Sequence, residues 1–134
     1  MIKVVIVDDH RLVREAWKQV LDRDKRLSVA AICENGFRAV EACKSLQPDV
    51  VLMDINMDPM NGIEATRAIR EFSNDIKIIG ISVHTDLSYI QALMQAGGNG
   101  YVTKNSSGEE MIDAIMLVKE GQQYYCKEIA DLVR

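Results

Sequence analysis

Residues 2–9 read IKVVIVDD and residues 49–54 read DVVLMD. Each apolar run stops on carboxylates, Asp8 and Asp9 after the first and Asp54 after the second. Ile2, Val4, Val5, Ile6 and Val7 lack polar alternation, the mark of a strand buried on both faces, and Val50 to Met53 reads the same way. Strands of this kind belong to parallel sheets, whose carboxyl ends share one edge, and open α/β folds bind their ligands at that edge. Carboxylates converging there repel one another unless a cation lies among them. A hard divalent ion with oxygen ligands, most simply Mg²⁺, suits the set. Taken singly, each acid also has a plainer use. Asp8 would cap the next helix, Asp9 would be a solvated first-turn residue and Asp54 would begin a loop.

Outward from these two strands, strand and helix patterns alternate. Leu12, Val13, Ala16, Trp17, Val20 and Leu21 recur at helical spacing, and Leu27 to Cys33 reads as a second strand. After Glu34-Asn35-Gly36 a helix runs from Phe37 to Leu46 and ends before Gln47-Pro48. Beyond Asp54 an irregular loop leads to Gly62, then a helix carries Ile63, Thr66, Ala68, Ile69 and Phe72. Ile76 to Ile81 is the fourth strand and Asp86 to Ala96 the fourth helix, with Thr85 as its expected cap. Tyr101-Val102 makes a short fifth strand after the glycine-rich turn 97–100. Ser107 reads as a helix cap, followed by Glu109 and Glu110 in the first turn, and Lys119, Glu120 and Gly121 mark that helix's end.

Serial βα units predict a parallel sheet with helices on both faces. Right-handed crossovers cover both faces only if the strand order reverses. The expected arrangement is the flavodoxin-like one, a doubly wound (βα)5 sandwich with a five-stranded sheet in the order 2-1-3-4-5. Strands one and three are then neighbours at the switch point, which brings Asp8, Asp9 and Asp54 face to face.

The chain has 134 residues, enough for one domain, with 48% hydrophobic and 27% charged residues. A net charge of -4 leaves no basic stripe for nucleic acid. No run approaches the roughly 18 apolar residues of a membrane span, and the first strand opens without a secretory pattern, so the expected address is the cytoplasm. Cys33, Cys43 and Cys126 are widely spaced and read as buried reduced thiols rather than a disulfide or zinc framework.

A carboxylate beside bound Mg²⁺ can attack phosphorus and form an acyl phosphate. Lys104, just past the fifth strand, is placed to neutralise phosphoryl oxygens, although a lone lysine is more often a plain surface residue. Ser82 closes the fourth strand and could hydrogen-bond a phosphoryl oxygen or be an inert small residue. No glycine-rich loop follows the first strand, so a dinucleotide or Walker-type site is not supported. His10 and His84 lack a nearby nucleophile with an orienting acid, which removes a hydrolase triad.

Asp8-Asp9, the stretch Asp54-Ile55-Asn56-Met57 leading to Gly62, Ser82 and Tyr101-Val102-Thr103-Lys104 together carry a resemblance. Over residues 1–121 the chain resembles the receiver domain of bacterial two-component response regulators. Asn105 and the run from Ser106 to Glu110 resemble the NarL/FixJ (LuxR-type) subfamily, as do Gly121 to Tyr125 and the trailing Lys127 to Arg134. The resemblance implies that Asp54 is the phospho-acceptor and that Asp9 ligates Mg²⁺ directly, with Asp8 assisting through water. Asp54 and the backbone carbonyl of Asn56 are the further ligands, and Mn²⁺ could replace Mg²⁺. It makes Lys104 the phosphoryl-pairing cation, Ser82 the switch hydroxyl and Tyr101 the coupled aromatic. Asn56 and His84 take the two positions that tune dephosphorylation. The implied partners are a sensor histidine kinase and, on phosphorylation, a second copy of the chain. DNA would be reached only through a helix-turn-helix output domain beyond Arg134, with 122–134 the start of a linker towards it. One departure stands out: Asp58-Pro59 follows Met57 where the family usually has Met-Pro-Gly, adding a charge beside the site.

The function expected is a phosphorylation-controlled regulator of transcription that turns over no external substrate. Three other readings stand beside it. One is a stand-alone receiver in a phosphorelay or protein–protein interaction, and another is a receiver that keeps the fold without using phosphate. The last is an Mg²⁺-dependent aspartyl-phosphate phosphatase, which would need an acid/base Asp where Asn56 stands.

Overall fold

The computed structural model describes residues 1–83 and 85–133. The strands are β1 (Ile2–Val7), β2 (Leu27–Cys33), β3 (Val50–Asp54), β4 (Lys77–Ser82), β5 (Gly100–Thr103) and β6 (Tyr124–Tyr125). The helices are α1 (Arg11–Asp22), α2 (Gly36–Leu46), α3 (Gly62–Arg70), α4 (Leu87–Gln95), α5 (Gly108–Lys119) and α6 (Lys127–Ala130), followed by a 3-10 turn at Asp131–Val133. All pairings are parallel, in the order β2-β1-β3-β4-β5-β6.

The unbroken apolar strands are explained by a core on each side of the sheet. Val4, Ile6, Val50 and Leu52 join one cluster with Trp17 and Leu21 of α1 and Met111, Ala114, Ile115 and Val118 of α5. Their alternates Val5, Val7, Val51 and Met53 join a second cluster with Ala39 and Cys43 of α2 and Ala65 and Ile69 of α3. A polar residue at any of these positions would face apolar side chains on one side or the other. Among the described residues, no helix is long and apolar enough to cross a membrane. The three cysteines are free and buried, and burial pushes the Cys43 thiol up to about 12.

Register aligns the strand ends. Val7 pairs with Met53, so Asp8 and Asp54 leave the sheet side by side. Asp54 pairs with Ile81, and Ser82 pairs with Thr103, so Ser82 and Lys104 emerge on the same edge.

Local chemistry sets the helix starts. Asn35 accepts from the Arg38 amide, and Asn61 with Glu64 forms a capping box. The expected Ser107 cap is present, and Glu110 completes its box. The expected Thr85 cap is not. Asp86 holds the N-cap position of α4, and its side chain makes no capping bond, so α4 starts one residue later than the hydroxyl would have set it.

The sheet has a sixth strand where five were expected. Gly121 adopts a left-handed φ of 97° and closes α5: its own amide bonds Val118 O and the Gln122 amide bonds Leu117 O. This turn sends residues 122–126 back along β5. Tyr124 and Tyr125 pair with Gly100 and Tyr101, and the Cys126 amide reaches Tyr101 O at 3.1 Å. Cys126 and Ile129 are buried in the first core, and Thr103 Oγ1 donates to Glu128 at 2.7 Å. Residues 122–133, read from sequence as the start of a linker, thus pack on the domain. Two strand residues are too few to show a periodicity.

Candidate functional site: an acidic edge with one lysine

Asp8 and Asp54 are each about 1% exposed, whereas Asp9 faces solvent. Asp8 follows β1 in a tight turn, in which its Oδ1 accepts the His10 amide at 2.8 Å. Arg14 of α1 donates to the Asp8 carbonyl at 2.8 Å, tying the turn to the helix. Asp54 Oδ1 accepts the Asn56 amide at 3.2 Å. The loop beyond it closes where the Gly62 amide meets Ile55 O at 3.0 Å. A Cβ on Gly62 would run into the Asp54 carbonyl oxygen, so this close return needs glycine.

Lys104 Nζ lies 3.2 Å from Asp8 Oδ2 and 3.6 Å from Asp54 Oδ2, with its side chain 19% exposed. Those two carboxylate oxygens are buried and, among the described residues, accept no hydrogen bond. Burial, then the neighbouring Asp8 charge, raises the Asp54 carboxyl from its ordinary value to about 7, against the pull of Lys104 and the Asn56 amide. One ammonium thus serves two buried acids. A divalent cation would supply the missing charge, and one carboxylate oxygen each from Asp8, Asp9 and Asp54, with a ring nitrogen of His10, lie within 4.8 Å of one another. The donor set fits a small oxygen-seeking ion.

Ser82 is fully buried and accepts from Asn56 Nδ2 at 3.3 Å. Its hydroxyl also hydrogen-bonds the phenol of Tyr101, which is itself fully buried. Burial raises the Tyr101 phenol, and the Ser82 bond opposes that rise. The Lys104 amide bonds Ser82 O at 3.0 Å, which couples the ends of β4 and β5 through the backbone.

The structure therefore brings Asp8, Asp9, Asp54, Asn56, Ser82, Tyr101 and Lys104 to one edge. His84 lies outside the described residues. Asp58 is exposed and stands apart from the acidic cluster. Two residues of this edge went unassigned in the sequence. Arg14 had only its helical register to mark it. His10 follows Asp8-Asp9 directly, and that adjacency was the available signal.

Residues 4–116 match the family model described as the response regulator receiver domain. The chain is 41% identical over 130 residues to the response regulator UvrY of Escherichia coli K12, covering 97% of this chain and 60% of that protein. It is 40% identical over 123 residues to the transcriptional regulatory protein DegU of Brevibacillus brevis, covering 92% of this chain and 52% of that protein. The chain thus spans little more than half the length of these relatives. Among solved structures, a LuxR-family two-component response regulator from Aurantimonas superposes with a TM-score of 0.92 at 31% identity, over 96% of this chain and 92% of that one. The signal receiver domain of the putative response regulator NarL from Mycobacterium tuberculosis superposes with a TM-score of 0.87 at 29% identity, over 90% of this chain and 98% of that one.

Proposed function

We propose, from the premise that this chain belongs to the response regulator receiver domain family, that it is a phosphorylation switch whose reacting group is Asp54. The observation that carries this reading is Lys104 Nζ set 3.2 Å and 3.6 Å from the buried Oδ2 atoms of Asp8 and Asp54. A phosphohistidine of a sensor kinase is the donor. An Asp54 carboxylate oxygen attacks phosphorus, the P–N bond breaks as the P–O bond forms, and the leaving imidazole keeps the electron pair and takes a proton from solvent. The product is an aspartyl phosphate.

Asp8, Asp9, Asp54 and the Asn56 carbonyl would hold Mg²⁺, with Mn²⁺ as a substitute. The ion supplies positive charge to the phosphoryl oxygens. Lys104 exchanges its ion pair with Asp54 for one with the new phosphoryl group. Ser82 is one hydrogen bond from both Asn56 and Tyr101, so donating its proton to a phosphoryl oxygen disturbs both partners. The charge at Asp54 is thereby felt at β5, where Tyr101 and Thr103 touch the 122–133 segment. Asn56 and His84 would set how fast water removes the phosphoryl group.

The output follows from the kind of relative. UvrY and DegU are response and transcriptional regulators longer than this chain. We therefore assign residues 1–121 to the receiver and 122–134 to the approach to a helix-turn-helix DNA-binding domain. The protein acts in the cytoplasm, and phosphorylation shifts its dimerisation. It turns over no external substrate beyond hydrolysis of its own aspartyl phosphate.

The test is uptake of phosphate from acetyl phosphate, followed by intact mass. With Mg²⁺ the wild type gains one phosphoryl group, whereas Asp54→Asn and the metal-free protein gain none. Uptake by Asp54→Asn equal to wild type would sink the assignment.

A further inference from the structure

His10 follows the two metal-site aspartates and places an imidazole directly on them. Its Nδ1 lies 2.9 Å from Asp9 Oδ1 and 3.1 Å from Asp8 Oδ1. Both are hydrogen-bond distances, which hold the ring nitrogen beside the carboxylate oxygens that would take an ion. The ring is held there by its backbone. His10 is the N-cap residue of α1 in extended conformation, its amide bonds Asp8 Oδ1, and its side chain makes no capping bond to the helix. At 65% exposure it can turn towards an ion without unpacking anything. Among the described residues, the buried Asp8 Oδ2 and Asp54 Oδ2 accept no hydrogen bond and share the Lys104 ammonium, which leaves two buried carboxylates facing one cation.

We propose that His10 Nδ1 is a side-chain ligand to the bound cation, and that it biases the site towards borderline divalent ions such as Co²⁺, Ni²⁺ and Zn²⁺. An all-oxygen site suits Mg²⁺. Adding imidazole nitrogen strengthens binding of the later first-row ions and does little for Mg²⁺, which bonds nitrogen poorly. The inference rests on reading Asp8, Asp9 and Asp54 as the cation site. Its consequence is that such ions compete with Mg²⁺ at the phosphorylation edge.

Calorimetric titration of the 134-residue chain at pH 7.5 with Mg²⁺ and with Ni²⁺ tests this in the wild type, His10→Ala and Asp9→Asn. His10→Ala should weaken Ni²⁺ binding by at least about tenfold and leave Mg²⁺ affinity within about twofold. Asp9→Asn should weaken both ions. Pulsed EPR of the Mn²⁺-loaded wild type should show imidazole nitrogen coupling that His10→Ala lacks, which identifies His10 as its source. Unchanged Ni²⁺ affinity and nitrogen coupling in His10→Ala, with both ions weakened in Asp9→Asn, would overturn the role of His10 and leave the cation site standing. Unchanged affinities in Asp9→Asn would overturn the site and this inference together.

Discussion

The Asn56 side-chain amide donates to Ser82 Oγ at 3.3 Å, across 26 residues of sequence. This bond joins the loop that follows Asp54 to the carboxyl end of β4, and the Ser82 hydroxyl passes the connection on to the Tyr101 phenol. The Asp54 carboxylate is therefore three hydrogen bonds from a buried aromatic on β5, by way of Asn56 and Ser82.

Ser82→Ala should destabilise the domain by about 1–2 kcal/mol, because it removes a buried hydroxyl that bonds the buried Tyr101 phenol and accepts from the Asn56 side chain. Tyr101→Phe should cost less, since the ring stays packed. Urea denaturation of both single variants and the double variant should give a coupling of about 0.5–1 kcal/mol. Strict additivity would mean that Ser82 and Tyr101 do not act together.

The Asp54 carboxyl, raised from its ordinary 3.8 to about 7 in the folded protein, links stability to pH. A carboxyl with a raised folded value keeps its contribution below about pH 4 and loses it as pH rises through about 7. Without metal, Asp54→Asn should therefore match the wild type near pH 4 and exceed it by on the order of 2 kcal/mol at pH 8. Thermal melts of the two proteins in EDTA across pH 4–8 check this. A difference independent of pH contradicts it.

Lys104 is the cation beside two buried carboxylates, so Lys104→Met should lower metal-free stability by about 1–3 kcal/mol at pH 8. The same variant should gain more from Mg²⁺ than the wild type, because the ion no longer competes with the ammonium for the same oxygens. Melting temperatures with and without MgCl₂ give both quantities. An equal Mg²⁺ shift in the two proteins would show that Lys104 and the ion do not share these oxygens.

Ile129 is fully buried in the core on the β5–β6 side. Ile129→Ala should cost about 2–4 kcal/mol, the range for truncating a core aliphatic. Glu128→Ala removes the acceptor of Thr103 and should cost about 1 kcal/mol. A flexible tail would tolerate both changes, so a null result in urea denaturation would detach residues 122–133 from the domain.

Most of the sheet and its acidic edge were legible in the chain because their signals are local. Val4 to Val7 and Val50 to Met53 are apolar without alternation, and the acids that stop them follow within one residue. Ser107 announced its helix through a hydroxyl and a glutamate three residues on, and the box forms. Thr85 offered a weaker version of that signal, and α4 starts after Asp86 instead. The strand at Tyr124–Tyr125 gave no signal, since its partner is β5 and its place comes from the Gly121 turn.

The sequence by itself determined the α/β fold, the strand order from β2 to β5 and the residues gathered at the carboxyl edge. The alternation of strands and helices and the acids at the strand ends follow from short-range patterns of burial and punctuation, whereas the strand order and the places of Asn56 and Tyr101 rested in part on the family resemblance. Only the tertiary structure decided which atoms meet there. Lys104 spans Asp8 and Asp54, the His10 ring leans on Asp8 and Asp9, and Ser82 sits between Asn56 and Tyr101. Those contacts depend on strand register and side-chain direction, and most of them join residues far apart in the chain, which no local pattern encodes.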